Sequence, residues 1–315
     1  VSGDAAGILA LLREWEAEDD PRPLVIETSG STGQPKRVML SRAAMRASAD
    51  ATHARLGGPG RWELTLPPTY VAGVQVLFRT IRAGADPGRS YRSLVPTQLV
   101  RMRADWASLS GYDAVLVGGG PLDPLVRAEA EAAGVPVVQT YGMSETCGGC
   151  VYDGVPLDGI EVRIDDDGQV LLRGPMLFDG YEGEPERTAA AFRDGWLVTH
   201  DLGHFADDGR LRIDGRIDDV IISGGVKVPA HSVAVAVGEH PDIEAVEVLG
   251  VPDVEWGERV VAFVVSSEPV ALEDLRDRVA PRSWAPRQLV RLPELPTLPN
   301  GKIDRVLLRT WAADA

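Results

Sequence analysis

No run of five or six basic residues occurs in the 315-residue chain, and its 32 lysines and arginines are outnumbered by 47 aspartates and glutamates, a formal charge of −15. Nucleic acid is thereby excluded as a main partner, and any phosphate must be held by a local site. Long apolar runs are missing too. Val260-Val261-Ala262-Phe263-Val264-Val265 is of strand length, against the roughly 18 residues a membrane helix needs, so no membrane insertion is expected. The chain opens on Val1-Ser2-Gly3-Asp4 without an initiating Met and without the basic region and apolar core of a signal peptide. That points to a trimmed start and a cytoplasmic home. Cysteine is scarce: Cys147 and Cys150 form one CxxC, with no second CxxC or His pair at metal spacing. The glycines between them weaken the helix that a thioredoxin-like motif would open, so a redox or metal role is set aside. Internal repeats and low-complexity tracts are also absent.

What is present is an ordinary globular composition, 44% hydrophobic and 25% charged, on a chain long enough for one large domain or two unequal ones. Ile8, Leu12 and Trp15 recur at helical spacing before Pro21 and Pro23. Leu24-Val25-Ile26 and Arg37-Val38-Met39-Leu40 predict a hairpin with a glycine-rich tip, followed by a helix capped by Ser41. Apolar runs at 74–78, 94–95, 114–117 and 135–138 predict the strands of an α/β sheet, alternating with helical segments such as 121–133. From about residue 160, short strands with Asp/Gly turns predict a β-rich subdomain. Beyond Gly215-Arg216-Ile217-Asp218-Asp219 come strand 220–222, a Gly-Gly turn, a helix after Pro229, strands 243–250 and 259–265, helix 272–279 and strand 288–292. The fold class expected is α/β: a large N-terminal domain of α/β layers plus a β-rich subdomain over residues 1–217, and a small mobile α+β C-terminal domain over 218–315.

Thr28-Ser29-Gly30-Ser31-Thr32-Gly33-Gln34-Pro35-Lys36 gathers hydroxyls, two glycines and a lysine. Glycines let backbone N–H groups approach an anion, hydroxyls donate to it and Lys36 adds full charge, a chemistry suited to a polyphosphate. It is neither a Walker A motif, since Pro35 precedes the lysine and no Ser/Thr follows it, nor a Rossmann fingerprint. Taken alone, a flexible turn between two strands reads the same.

This loop resembles the phosphate loop of the adenylate-forming superfamily of acyl-CoA synthetases, adenylation domains and luciferases, and four further motifs follow in the family's order. Tyr141-Gly142-Met143-Ser144-Glu145-Thr146 resembles the adenine and magnesium motif. Trp196 to Gly203 resembles the ribose motif, Gly215 to Ile221 the hinge, and Leu298-Pro299-Asn300-Gly301-Lys302-Ile303-Asp304 the catalytic-lysine loop. The resemblance implies a ligase that converts a carboxylate to an acyl adenylate with ATP and Mg²⁺, then to a thioester with CoA. Thr28, Ser29, Gly30, Ser31, Thr32, Gly33 and Lys36 would grip the β- and γ-phosphates. Glu145 would ligate Mg²⁺, and Ser144 would donate to the α-phosphate. Tyr141 and Gly142 would face adenine against Gly119 and Gly120. Asp201 and Arg216 would hold the ribose, and Lys302 would bridge the substrate carboxylate and α-phosphate. Asp218 would be the hinge, with Gly224 and Gly225 lining the CoA thiol's path. His53, His204, His231 and His240 match no motif of the family.

Within the family, segments 66–75, 93–99 and 141–154 most resemble the o-succinylbenzoyl-CoA synthetases of menaquinone biosynthesis. That implies an aromatic dicarboxylic acid near Tyr70, Gln75, Gly148 and Gly149. The small-molecule partners are then ATP, this acid and CoA, and the resemblance leaves room for a homodimer. The alternative is a ligase for another aryl or acyl acid. The chain departs from the family at Tyr70, commonly His, at His200, usually Gly, and at Ser144, more often Thr. The connection Gly84 to Tyr91 and the region before the phosphate loop are short, from which absent segments of the native chain are expected.

Overall fold

The computed structural model describes residues 1–28, 36–84, 88–299 and 301–313. Four strands, Gly60–Glu63, Arg89–Leu94, Ala114–Gly118 and Val137–Met143, pair in parallel in that order. Crossovers between them run through the helix Val71–Ala83, the helical stretch Pro96–Leu109 and the helix Pro124–Ala132. Such strands need cover on both faces. Ala114 and Leu116 accordingly join one core with Trp62, Phe78 and Tyr91. Val115 and Val117, pointing the other way, join a second with Trp106, Leu109 and Val126. Antiparallel strands Gly148–Tyr152 and Val155–Pro156 complete this sheet.

The apolar run 74–78, expected as a strand, lies instead inside the helix Val71–Ala83, where Gly73 through Arg79 are all buried. A short stretch that is apolar all round carries no period to separate helix from strand. The predicted hairpin forms: Leu24–Thr28 pairs antiparallel with Lys36–Leu40, ending at Thr28↔Lys36, and Gly180–Tyr181 joins its outer side. Ser41 caps the following helix, its hydroxyl accepting from the Ala44 N–H at 3.3 Å.

Residues 161–216 supply a third, antiparallel sheet around the long strand Trp196–Phe205, flanked by Gln169–Arg173 and Leu211–Arg216. The fourth sheet lies within 220–291, centred on Gly257–Ser266 and Ile243–Asp253. Val233 and Val237 of the helix Ala230–Gly238 pack on one of its faces with Leu275. Leu308 and Ala312 of the last helix, Arg305–Ala313, pack on the other against Val261 and Phe263. The protein is thus a mixed α/β molecule. Among the described residues no helix is long and apolar enough to cross a membrane.

Candidate active site

The strand Val137–Met143 runs at its C-terminal end into a single 3-10 turn, Ser144–Thr146, and beside it Ala114–Gly118 runs into Gly119 and Gly120. C-terminal strand ends are where parallel sheets leave a crevice for ligands. Gly142 is required there, because a Cβ would stand 2.1 Å from the Gly148 carbonyl oxygen. The Thr146 hydroxyl accepts from the Met143 N–H (2.9 Å) and donates to that same Gly148 carbonyl (2.6 Å). Ser144 is half-buried at the start of the turn, and its carbonyl accepts from the Cys147 N–H.

Two nearly buried carboxylates dominate the crevice. Glu145, 9% exposed, accepts at Oε1 from the Tyr181 hydroxyl (2.8 Å), and Lys36 Nζ stands 3.9 Å from the same oxygen. Asp201, 6% exposed, accepts at Oδ2 from the Tyr141 hydroxyl (2.7 Å), with Arg216 Nη1 3.5 Å from Oδ1. Arg216 reaches it because the two residues face each other across the strands Trp196–Phe205 and Leu211–Arg216. Burial raises the Asp201 carboxyl above the usual range, against the pull of Tyr141 and Arg216. Burial, then the neighbouring carboxylate, likewise raises the hydroxyls of Tyr141 and Tyr181, which stay protonated donors. Thr28 and Lys36 flank the predicted phosphate loop, while Ser29, Gly30, Ser31, Thr32 and Gly33 lie outside the described residues.

The segment 296–304 folds back on itself: Leu298 N–H donates to the Lys302 carbonyl (2.8 Å), and Thr297 bridges Ile303. Its tip docks on the start of the helix Pro96–Arg101. The Thr97 hydroxyl donates to the Gly301 carbonyl at 2.9 Å, and a Cβ on Gly301 would stand 2.6 Å from Val95 Cγ2. A cavity of about 430 Å³ between 64–67 and 297–301, with Arg101 on its wall, lies beside this contact. Lys302 is exposed, within electrostatic reach of Arg216, Glu145 and Asp201. Desolvation in the cleft and the Arg216 charge push its amine below the ordinary lysine range, and Glu145 pulls the other way.

Asp218 lies in the turn Ile217–Asp219, its carboxylate between His200 Nδ1 (3.0 Å) and Arg216 Nη2 (3.2 Å). Burial by itself would raise this carboxyl. The His200 and Arg216 contacts outweigh it and hold Asp218 below its usual value. Gly224 and Gly225, both at positive φ, form the tip of the hairpin Val220–Ser223/Val226–Pro229. The Gly224 N–H donates to the Trp256 carbonyl, and the Trp256 ring covers the turn.

Of the residues expected to meet the acid, Gln75 is fully buried beside Gly148. Its Nε2 donates to Met45 Sδ (3.3 Å), and its Oε1 has no partner among the described residues. Gly149 packs against Thr140 and Tyr152, and Tyr70 is half-buried at the start of the helix Val71–Ala83. Cys147 and Cys150 are buried free thiols, and burial pushes the Cys150 thiol up to about 12. Reactive thiolates need the opposite environment. Among the described residues no three His, Cys, Asp or Glu side chains gather as a metal cluster.

Two residues of this neighbourhood escaped sequence reasoning. Tyr181 lies 36 positions from the carboxylate it holds. Arg79, one turn beyond Gln75, is 4% exposed and its guanidinium lies over the Trp62 ring, 5.0 Å from the centroid. Its Nε is unpartnered, and no carboxylate pairs with it among the described residues. Burial and this charge hold His53 down to about 4. An arginine directly after the apolar Val76-Leu77-Phe78 is the signal that sequence alone offered.

A turn-borne and a strand-borne carboxylate border one crevice, and similarity to known families gives the class of protein, an AMP-binding enzyme. The AMP-binding enzyme family matches residues 66–182, and the AMP-binding enzyme C-terminal domain matches 232–302. The chain belongs to this family. It is 42% identical, over 98% of its length and 89% of the relative's, to a probable 2-succinylbenzoate–CoA ligase of Mycobacterium tuberculosis. That alignment covers 343 positions, more than the chain's 315 residues, so gaps fall inside this chain. Among solved structures, the o-succinylbenzoate CoA synthetase of Bacillus subtilis in complex with its acyl-adenylate intermediate superposes with a TM-score of 0.77 at 27% identity, covering 90% of this chain and 68% of that one. An amide bond synthetase of Marinactinospora thermotolerans gives 0.80 at 31%, covering 91% and 69%.

Proposed function

We propose that the protein is an ATP-dependent acid–CoA ligase acting on o-succinylbenzoate. The observation that supports the chemistry best is the pair of nearly buried carboxylates bordering one crevice, Glu145 with Tyr181 and Lys36, and Asp201 with Tyr141 and Arg216, in a chain similar to 2-succinylbenzoate–CoA ligases. A carboxylate oxygen of the acid attacks the α-phosphorus of ATP, a new P–O bond forms, and the bond to the β-phosphate breaks to release pyrophosphate. The resulting acyl adenylate has a leaving group that oxide is not. A thiolate then attacks the acyl carbon, AMP departs, and the thiol's proton goes to solvent.

Each side chain has electrostatic work in the first step. Asp201 keeps lone pairs for the ribose hydroxyls, since a carboxylate offers about four acceptor sites and Tyr141 and Arg216 occupy two. Tyr141 offers its ring to adenine beside Gly119, Gly120 and Gly142. Ser144 and Lys302 meet the α-phosphate as charge builds there. Lys36, with the loop from Thr28, meets the pyrophosphate end. Glu145, a single carboxylate beside that end with no metal-binding cluster around it among the described residues, suits Mg²⁺ delivered on the phosphates; bound there, the ion would offset their negative charge.

For the acid, Gln75 and the backbone at Gly148 and Gly149 offer polar contacts, Tyr70 an aromatic wall, and Arg79 a buried positive charge of the kind a second carboxylate requires. In the same reading residues 1–217 form the ATP- and acid-binding body, and 218–315 swing about Asp218 between the two steps. That swing withdraws Lys302 and brings the Gly224-Gly225 turn to the thiol arm. A cytoplasmic setting, where ATP and CoA are at hand, belongs to this reading.

The test is pyrophosphate release from ATP and Mg²⁺ across a panel of acids, repeated with CoA. o-Succinylbenzoate is expected to stimulate release by itself and to appear as a thioester when CoA is added. Stimulation by other acids only would replace the substrate and keep the chemistry. Amide formation with an amine, and none with CoA, would replace the acceptor.

A further inference from the structure

Lys302 follows Gly301 on the returning side of a fold-back closed by the bond from the Leu298 N–H to the Lys302 carbonyl and by the Thr297–Ile303 bridge. Gly301 is held against Thr97 and Val95, and Ile303 packs on the apolar cluster beneath the last helix; a further, charged anchor lies at the end of the fold-back, three residues past Lys302. There Arg305, the first residue of the last helix, reaches two carboxylates from distant parts of the chain. Its Nη1 lies 2.8 and 2.7 Å from the two oxygens of Asp219, and its Nε 2.7 Å from Glu247 Oε1. Asp219 is the residue next to Asp218, in the same 3-10 turn. Glu247 is near the middle of the strand Ile243–Asp253 and only 12% exposed at its side chain. One planar guanidinium therefore bridges the lysine fold-back, the hinge turn and the central sheet of the C-terminal region.

We infer that Arg305 is a positioning residue for Lys302: it fastens the lysine fold-back to the hinge turn and to Glu247, so that the turn and the lysine move as one piece. This rests on the functional reading above. The geometry needs arginine in particular. Nη1 and Nε address two separate carboxylates at fixed angles, which a lysine ammonium on a flexible stem does not reproduce. The apolar seat of the helix, Leu308 and Ala312 against Phe263 and Val261, holds the helix down. Ile303 of the fold-back packs on the same cluster, and the charged bridge adds the connection to the hinge turn and to Glu247. Arg305 touches no substrate in this reading; its effect runs through Lys302 alone.

The prediction separates the two half-reactions. Arg305→Ala should lower kcat for acid-dependent pyrophosphate release on the order of 10²-fold, the cost of misplacing a reacting group by about an ångström. KM for ATP and thioester formation from preformed acyl adenylate should stay within about threefold of wild type, since neither needs the lysine in place. Arg305→Lys should rescue little. Because Arg305→Ala leaves two carboxylates without their cation, the triple variant Asp219→Asn, Glu247→Gln, Arg305→Met is read beside it, and the same split is expected. A second readout needs no turnover: the limiting rate at high pH at which an amine-reactive reagent labels Lys302, followed by mass spectrometry on the substrate-free protein, should change severalfold in both variants. At that pH, loss of the Arg305 charge no longer alters the fraction of free amine. Equal loss of both half-reactions, full rescue by Arg305→Lys, or unchanged labelling of Lys302 would each overturn the inference. A wild-type protein silent toward every acid would overturn the functional reading, and the labelling result would still decide the role of Arg305.

Discussion

Glu145 and Asp201 are built from the same parts and differ in how those parts are arranged. Each is a nearly buried carboxylate with a tyrosine hydroxyl at 2.7–2.8 Å and a cation between 3.5 and 3.9 Å. At Asp201 the tyrosine and the cation take different oxygens, and the backbone is locked as well, the Asp201 N–H donating to Thr199 Oγ1 at 3.0 Å. At Glu145 both contacts fall on Oε1, the backbone is a single 3-10 turn, and the cation Lys36 borders the glycine-rich loop. A carboxylate held from two sides on a paired strand suits a fixed neutral ligand such as a sugar diol. One held from one side suits a ligand that brings its own cation and changes charge distribution during the reaction.

The largest expected effect tests that division directly. Glu145→Gln should lower kcat for adenylation on the order of 10²–10³-fold with a smaller change in KM for ATP, as for loss of a group that acts on developing charge. Asp201→Asn should do the reverse, raising KM for ATP about tenfold or more while kcat falls less. Steady-state pyrophosphate release for the two variants decides it, and equal kcat losses would erase the distinction.

The tyrosines sharpen it at smaller amplitude. A hydrogen bond to a charged group contributes about 1.5–3 kcal/mol, and both Tyr141→Phe and Tyr181→Phe leave a buried carboxylate short of a donor, so urea unfolding should show a loss of this order in each. Function should again divide: Tyr141→Phe keeps its ring and acts mainly on KM for ATP, whereas Tyr181→Phe loosens Glu145 and acts mainly on kcat. If Tyr181→Phe changes stability alone, its hydroxyl is a packing device and Glu145 is held by its turn.

How far these pairs could be read from sequence follows from what each depends on. The hairpin of Leu24–Thr28 with Lys36–Leu40, the Ser41 cap and the change of texture at residue 160 all rest on local chemistry, which a sequence displays. Glu145, Asp201, Arg216 and Lys302 were singled out because they sit in runs that resemble known motifs. Tyr181, Arg79 and Arg305 were not, since each matters through contacts with residues remote in sequence, and the local marks of two of them, apolar neighbours at Arg79 and the adjoining lysine motif at Arg305, do not name those partners. His200 was noted only as a departure from the usual glycine, and the structure gives it a contact, the Asp218 carboxylate. The helix at 71–83 was misread for a related reason: full burial removes the periodicity by which a helix is recognised.

The two carboxylates also act on one lysine, and that gives the finest test. Lys302 titrates below an ordinary lysine because of desolvation first and Arg216 second, with a weaker push from Arg305, while Glu145 and, more weakly, Asp201 favour its charged form. Removing the Arg216 charge must therefore raise the pH at which Lys302 loses its proton, and removing the Glu145 charge must lower it further. Only the free amine reacts with an acylating reagent. The pH midpoint of Lys302 labelling in the substrate-free protein should therefore move up in Arg216→Gln and down in Glu145→Gln, with Asp201→Asn following Glu145→Gln by a smaller step. The order of these midpoints reports which carboxylate faces the lysine more closely. A downward shift larger in Asp201→Asn than in Glu145→Gln would assign Lys302 to the ribose end of the crevice, where it could not neutralise charge at the α-phosphate.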